Sequence, residues 1–85
     1  LDFPPSLYAA GVPGLVIAEF VVDSEGHIED GTLGIVSSTA PLFTEAVRLA
    51  LENAAYVPAT KDGHRVRQFV QQPFEFSVNR QGKDR

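Results

Sequence analysis

An α+β domain is expected: a small antiparallel sheet of about three strands, with two helices packed on one face. Three observations predict it. Residues 15–22 (LVIAEFVV) are β-branched and aromatic, and too few for a stable isolated helix, so they read as a strand. Asp23-Ser24-Glu25-Gly26 behind them is a hairpin turn, which sends the chain back antiparallel. Phe43, Ala46, Val47, Ala50 and Ala54 then recur at helical spacing, and a long strand candidate, 66–78, closes the chain.

Each element has a local reason. Proline is accepted in the first turn of a helix, where its missing N–H would have no partner. Phe3-Pro4-Pro5 therefore leads into a short helix over 6–10, which Gly11 stops. Val12-Pro13-Gly14 turns into the first strand. Val16, Ala18, Phe20 and Val22 line one of its faces, while Leu15, Ile17 and Val21 share the other with Glu19. A strand apolar on both faces is central, or covered on both sides. In the turn that follows, Gly26 takes positive φ, and Asp23 and Ser24 bond local N–H groups. Residues 27–36 return as the second strand, interrupted at Asp30-Gly31, where a bulge or kink is expected. Ser37-Ser38-Thr39 ends it. The second helix covers 40–53, with Thr39 as N-cap ahead of Pro41. Glu45, Arg48 and Glu52 lie off its apolar face, in pairs worth about 0.2 to 0.5 kcal/mol each. Tyr56-Val57-Pro58-Ala59 is an extended link, its tyrosine packing in the core rather than joining Phe69 in an exposed patch. Lys61-Asp62-Gly63 is a turn. Residues 79–85 (NRQGKDR) form a polar tail, which leaves 1–78 as the domain.

The last strand, VRQFVQQPFEFSV, contains Pro73, and proline cannot donate to a sheet ladder. Alternate residues of a strand point their backbone groups to opposite flanks. The arrangement that loses no ladder bond pairs the even flank (Val66, Gln68, Val70, Gln72) inside the sheet. Arg67, Phe69 and Gln71 then present free backbone groups outward, on an edge open to strand addition that the proline limits in length.

The totals exclude several classes of function. Seven Lys and Arg face 11 Asp and Glu, a formal net charge of −4, and no cationic stripe emerges, so no nucleic acid is expected as a partner. With no cysteine there is neither a disulfide framework nor a thiolate metal site. No apolar run approaches the roughly 18 residues needed to cross a membrane. The chain does not begin with methionine. It reads as an excised domain whose export signal or membrane anchor lies upstream.

No catalytic residue, metal site or cofactor is expected. His27 and His64 are turn-adjacent, and a site built on them would need a third ligand such as Asp62 or Glu29. Asp23, Glu25, Glu29 and Asp30 lack calcium-loop spacing and read as a solvated acidic tip. Ser37 and Ser38 have no base nearby in sequence, and the seven glycines are scattered among turns rather than gathered into a phosphate loop.

In order along the chain, several segments resemble the C-terminal domain of TonB-type energy transducers. Phe3-Pro4 resembles its opening aromatic-proline pair. Gly14 to Ile17, Phe20 to Asp23 and Gly26-His27-Ile28 resemble its G-x-V-x-x-x-F-x-V-x-x-x-G hairpin. Val36-Ser37-Ser38 with Pro41-Leu42-Phe43 and Ala46 resembles its V-x-S-S…P-L-x-x-x-A segment. Tyr56-Val57-Pro58-Ala59, Asp62-Gly63 and Pro73-Phe74-Glu75-Phe76 resemble its aromatic-x-P-A…G…P-F-x-F close. The family's tryptophan and basic residues before the aromatic-x-Pro pair are replaced here by Ala54, Ala55 and Val57.

The resemblance implies a TonB-like fold and a non-enzymatic role in the periplasm, anchored to the inner membrane through an N-terminal segment missing from this sequence. It implies that an extended peptide of an outer-membrane TonB-dependent transporter adds as a strand beside Val66, Arg67, Gln68, Phe69, Val70, Gln71 and Gln72. Inner-membrane motor proteins would supply force through the missing part. The alternative is a structural or self-association module of the cell envelope, a homodimer joined through the same edge.

Overall fold

A computed structural model describes residues 1–78, and the polar tail expected over 79–85 lies outside the described residues. The element order is α1 (Pro5–Ala9), β1 (Gly14–Val22), β2 (Gly34–Ser38), α2 (Pro41–Glu52), β3 (Ala59–Lys61), β4 (His64–Val66) and β5 (Gln68–Phe76). Both ladders of the main sheet are antiparallel and its order is β2-β1-β5, while β3 and β4 pair as a separate hairpin. The α+β class is as expected, and the doubly apolar β1 is the central strand.

The α1 helix ends because Gly11 adopts φ of 71°, which places two N–H groups over the last turn. Gly11 N–H donates to the Tyr8 carbonyl at 3.0 Å and Val12 N–H to that of Leu7 at 2.9 Å, the paired closure that glycine permits at this position. Phe3, just ahead of α1, sets its ring edge-on to Phe43 and Phe76, with centroids 5.7 and 5.5 Å away.

The core lies between the even-numbered face of the main sheet and α2. Val16, Ala18 and Phe20 are wholly buried, with Val22 and Phe76 nearly so. Phe43, Val47 and Leu51 descend onto them from α2, with Ala46 and Ala54 at the margin. These spacings of four residues keep one stripe of the helix on the sheet. Leu51, which the apolar stripe expected from the sequence did not include, is buried between its members Val47 and Ala54.

Three local expectations are corrected. The return from β1 does not run unbroken over 27–36. It makes one bridge, Val22 to Ile28, and the ladder resumes only at Gly34. Between them Gly31 takes φ of 79°, and the Thr32 hydroxyl, not a backbone carbonyl, accepts Val21 N–H. The anticipated kink is therefore a full turn, because a side chain replaces the ladder. Thr39 does not cap α2. Its hydroxyl accepts Leu15 N–H at 3.1 Å, and the N-cap residue is Ala40, with no side-chain cap. The sheet claims Thr39 first. Lastly, the link and turn at 56–63 conceal a hairpin: β3 and β4 close on Asp62 and Gly63, whose φ values of 53° and 80° form a tight two-residue turn.

Candidate functional site

The β5 strand lies at the edge of the main sheet, and the hydrogen bonds of β1 fix which of its flanks is open. On β1, odd-numbered residues turn their backbone toward the β2 side. The Leu15 carbonyl accepts Thr39 N–H at 3.1 Å, and the Val21 carbonyl accepts Glu29 N–H at 2.9 Å. Because backbone groups alternate along a strand, the even residues of β1 are the ones that bond β5. Their register partners are also even: Val16 with Phe74, Ala18 with Gln72, Phe20 with Val70, Val22 with Gln68. Phe69, Gln71 and Glu75 consequently aim their N–H and C=O groups away from the sheet, and Pro73 its C=O alone. Pro73 sits opposite Ile17 on the flank that makes no ladder bond, so its missing donor costs nothing there.

The predicted site residues divide accordingly. Gln68, Val70 and Gln72 spend their backbone groups on β1. Val70 packs against the core, and Gln72 receives the Tyr56 hydroxyl on its Oε1 at 3.3 Å. Phe69 and Gln71 lie on the open flank, and the Phe69 side chain is 61% exposed. Val66 belongs instead to β4, where it pairs with Ala59. Arg67 links the two strands. Its Nη2 and Nε donate to the two carboxylate oxygens of Glu29, the former at 2.9 Å. Among the described residues, no strand covers the outward flank of β5.

Tyr56 packs on the core side, its ring 5.4 Å from that of Phe20. Partial burial raises its phenol pKa above the ordinary value. The outer face of the sheet, away from α2, carries Val21 opposite Phe69, Glu19 opposite Gln71, Ile17 opposite Pro73 and Leu15 opposite Glu75. Its apolar pairs are Val21 with Phe69 and Ile17 with Pro73, and its carboxylates are Glu19, between them opposite Gln71, and Glu75, beyond Pro73.

Electrostatics order the segment that follows β1 and tie it to the start of β5. The Arg67 guanidinium, through its hydrogen bonds, holds the Glu29 carboxyl below the usual range and is itself raised by that carboxylate. Asp23 is lowered chiefly by the backbone N–H of His27, then by that of Glu25, which its Oδ1 accepts at 2.9 and 2.8 Å. Both histidines are exposed. Among the described residues no three His, Cys, Asp or Glu side chains gather as a metal site would require. An open groove of about 350 Å³ between 1–5 and α2 is lined by Leu1, Leu42 and Leu49, with Asp2 and Glu45 as its charged members.

Sequence reasoning missed the β3–β4 hairpin and with it Arg65, which stands on β4 just before the predicted site. The available signal was Asp62-Gly63, a dipeptide typical of two-residue hairpins, flanked by short extended runs. No curated protein matches this chain. Residues 1–78 match the family described as Gram-negative bacterial TonB protein C-terminal, and the chain therefore belongs to that family of periplasmic, non-enzymatic energy-transduction domains.

Proposed function

We propose that this domain grips an extended peptide of an outer-membrane transporter by adding it as a strand to the open flank of β5, and passes on force from an inner-membrane motor. The observation that carries the reading is the outward aim of the Phe69 and Gln71 backbone groups on an edge strand. Strand addition draws its affinity from main-chain hydrogen bonds and its selectivity from alternate side chains. A pull along the strand is shared among several such bonds. The long ladder between β1 and β5, nine register pairs, resists the transmitted load. Pro73 ends the run of donors on the flank, so the grip has a defined length. The association of this family with outer-membrane transporters supports the choice of partner.

A peptide of roughly five to eight residues from such a transporter will shift the amide signals of Phe69 and Gln71 in heteronuclear NMR. Signals that stay in place with every transporter peptide would remove the reading. A second copy of the chain on the same flank is the competing occupant. It predicts a dimer in sedimentation equilibrium, with the same amides already shifted before any peptide is added.

A further inference from the structure

The open flank does not stop where β5 begins. The tight turn at Asp62-Gly63 brings His64 N–H onto the Lys61 carbonyl. Backbone groups alternate from there, so His64 and Val66 face β3 and Arg65 faces away. Only Arg67 separates β4 from β5, and on β5 the even residues again face inward, this time to β1. One run of chain thus spends its even flank on two different sheets in succession. It leaves the odd flank open from Arg65, past Phe69, to Gln71.

This flank is electrically polarised. At one end the β3–β4 hairpin forms an arm, which carries Arg65 on the strand that borders the flank and Lys61 on β3 behind it, both exposed, against the single carboxylate of Asp62. Arg67 is already engaged by Glu29. Elsewhere on the described chain Arg48 and Arg67 face nine carboxylates. Two of these stand on the outer sheet face toward the other end, half-buried Glu19 opposite Gln71 and exposed Glu75 beyond Pro73. The arm is therefore the one stretch of the described surface with a local positive balance, and it lies directly in the path of a strand continuing from β5.

We infer that the incoming peptide runs on from β5 along β4, and that the end lying beside the arm is acidic. This rests on the strand-addition reading above. An acidic end is attracted by Lys61 and Arg65 and repelled at the other end by Glu75 and Glu19. The same charges that add affinity thus also set the direction in which the peptide lies.

The test uses the full chain and the transporter-derived peptide of five to eight residues. That peptide is resynthesised with three glutamates or three serines added at its N-terminus or at its C-terminus. One of the two glutamate-extended peptides is expected to bind about fivefold tighter than its serine counterpart at low salt. The gain should fall within about twofold in roughly 0.5 M salt, and the Arg65 amide should shift along with Phe69 and Gln71. In the K61E/R65E variant, whose changes fall on exposed side chains, the preference should disappear. Shifts at Phe69 and Gln71 without any gain from glutamate, or a gain that survives in K61E/R65E, would overturn the inference and leave strand addition standing. Failure of every peptide to shift Phe69 and Gln71 would remove both.

Discussion

Gly26 joins two parts of the chain that are far apart in sequence. Its φ is 92°, and a Cβ there would run into the carbonyl of Tyr56. Its own carbonyl accepts Tyr56 N–H at 2.9 Å. The turn after β1 and the link after α2 therefore dock backbone to backbone, which leaves no flexible side chain to give way. Gly26→Ala is expected to cost about 1 to 3 kcal/mol, from strain together with the displaced contact. Urea unfolding followed by circular dichroism measures it, and a loss under about 0.5 kcal/mol would show that the link moves freely. Phe69 is the opposite case. Being 61% exposed, it contributes little to the core, so Phe69→Ala should leave stability within about 0.5 kcal/mol of the parent. Peptide affinity should nevertheless fall several-fold, since an incoming strand would lie beside this ring. Isothermal titration paired with unfolding separates the two effects. The positive φ of Gly26 was legible in the sequence from its place in the turn. Its distant partner was not, because nothing local to residue 26 names residue 56.

At the scale of the elements, β5 is the informative strand. Parity alone told which flank of it would be paired, because one proline excludes one flank from the ladder. Pro73→Val supplies the missing donor and lengthens the open edge. It is expected to leave the fold intact and to raise self-association, since an unbroken free edge templates pairing with other copies. Light scattering against concentration checks this, and an average mass unchanged from the parent's would show that the proline does not guard the edge. Other elements were less legible. Thr39 has the chemistry of a cap, and a local rule assigns it to α2. In the fold it lies beside β1, where it accepts Leu15 N–H and its own N–H meets the Leu15 carbonyl. The return strand was over-extended for a related reason. Its alternation survives on paper through Asp30-Gly31, but Thr32 meets Val21 with a hydroxyl and ends the ladder.

The whole molecule is acidic, and its pH response should reflect two carboxyls tied into turns. In the folded state Glu29, paired with Arg67, and Asp23, bonded to the His27 and Glu25 N–H groups, both lie below their ordinary values of 4.5 and 3.8. The stability they add is present above those ordinary values and is lost as pH falls through the folded ones. The urea midpoint of the parent should drop between about pH 5 and pH 2. Glu29→Gln should flatten part of that decline while lowering the midpoint at neutral pH. A parallel decline in parent and variant would mean that the Arg67 pair does not couple to folding.

Sequence by itself determined the class of fold, the central place of β1, the helix that covers it and the parity of β5. Each of these follows from a periodicity or a backbone restriction carried by nearby residues. Only the tertiary structure decided that Val66 is spent on a separate hairpin, that Arg67 is held by Glu29 and that Thr39 serves the sheet. Each of these is a competition between partners brought together across the chain, and its outcome depends on distances that local sequence does not contain.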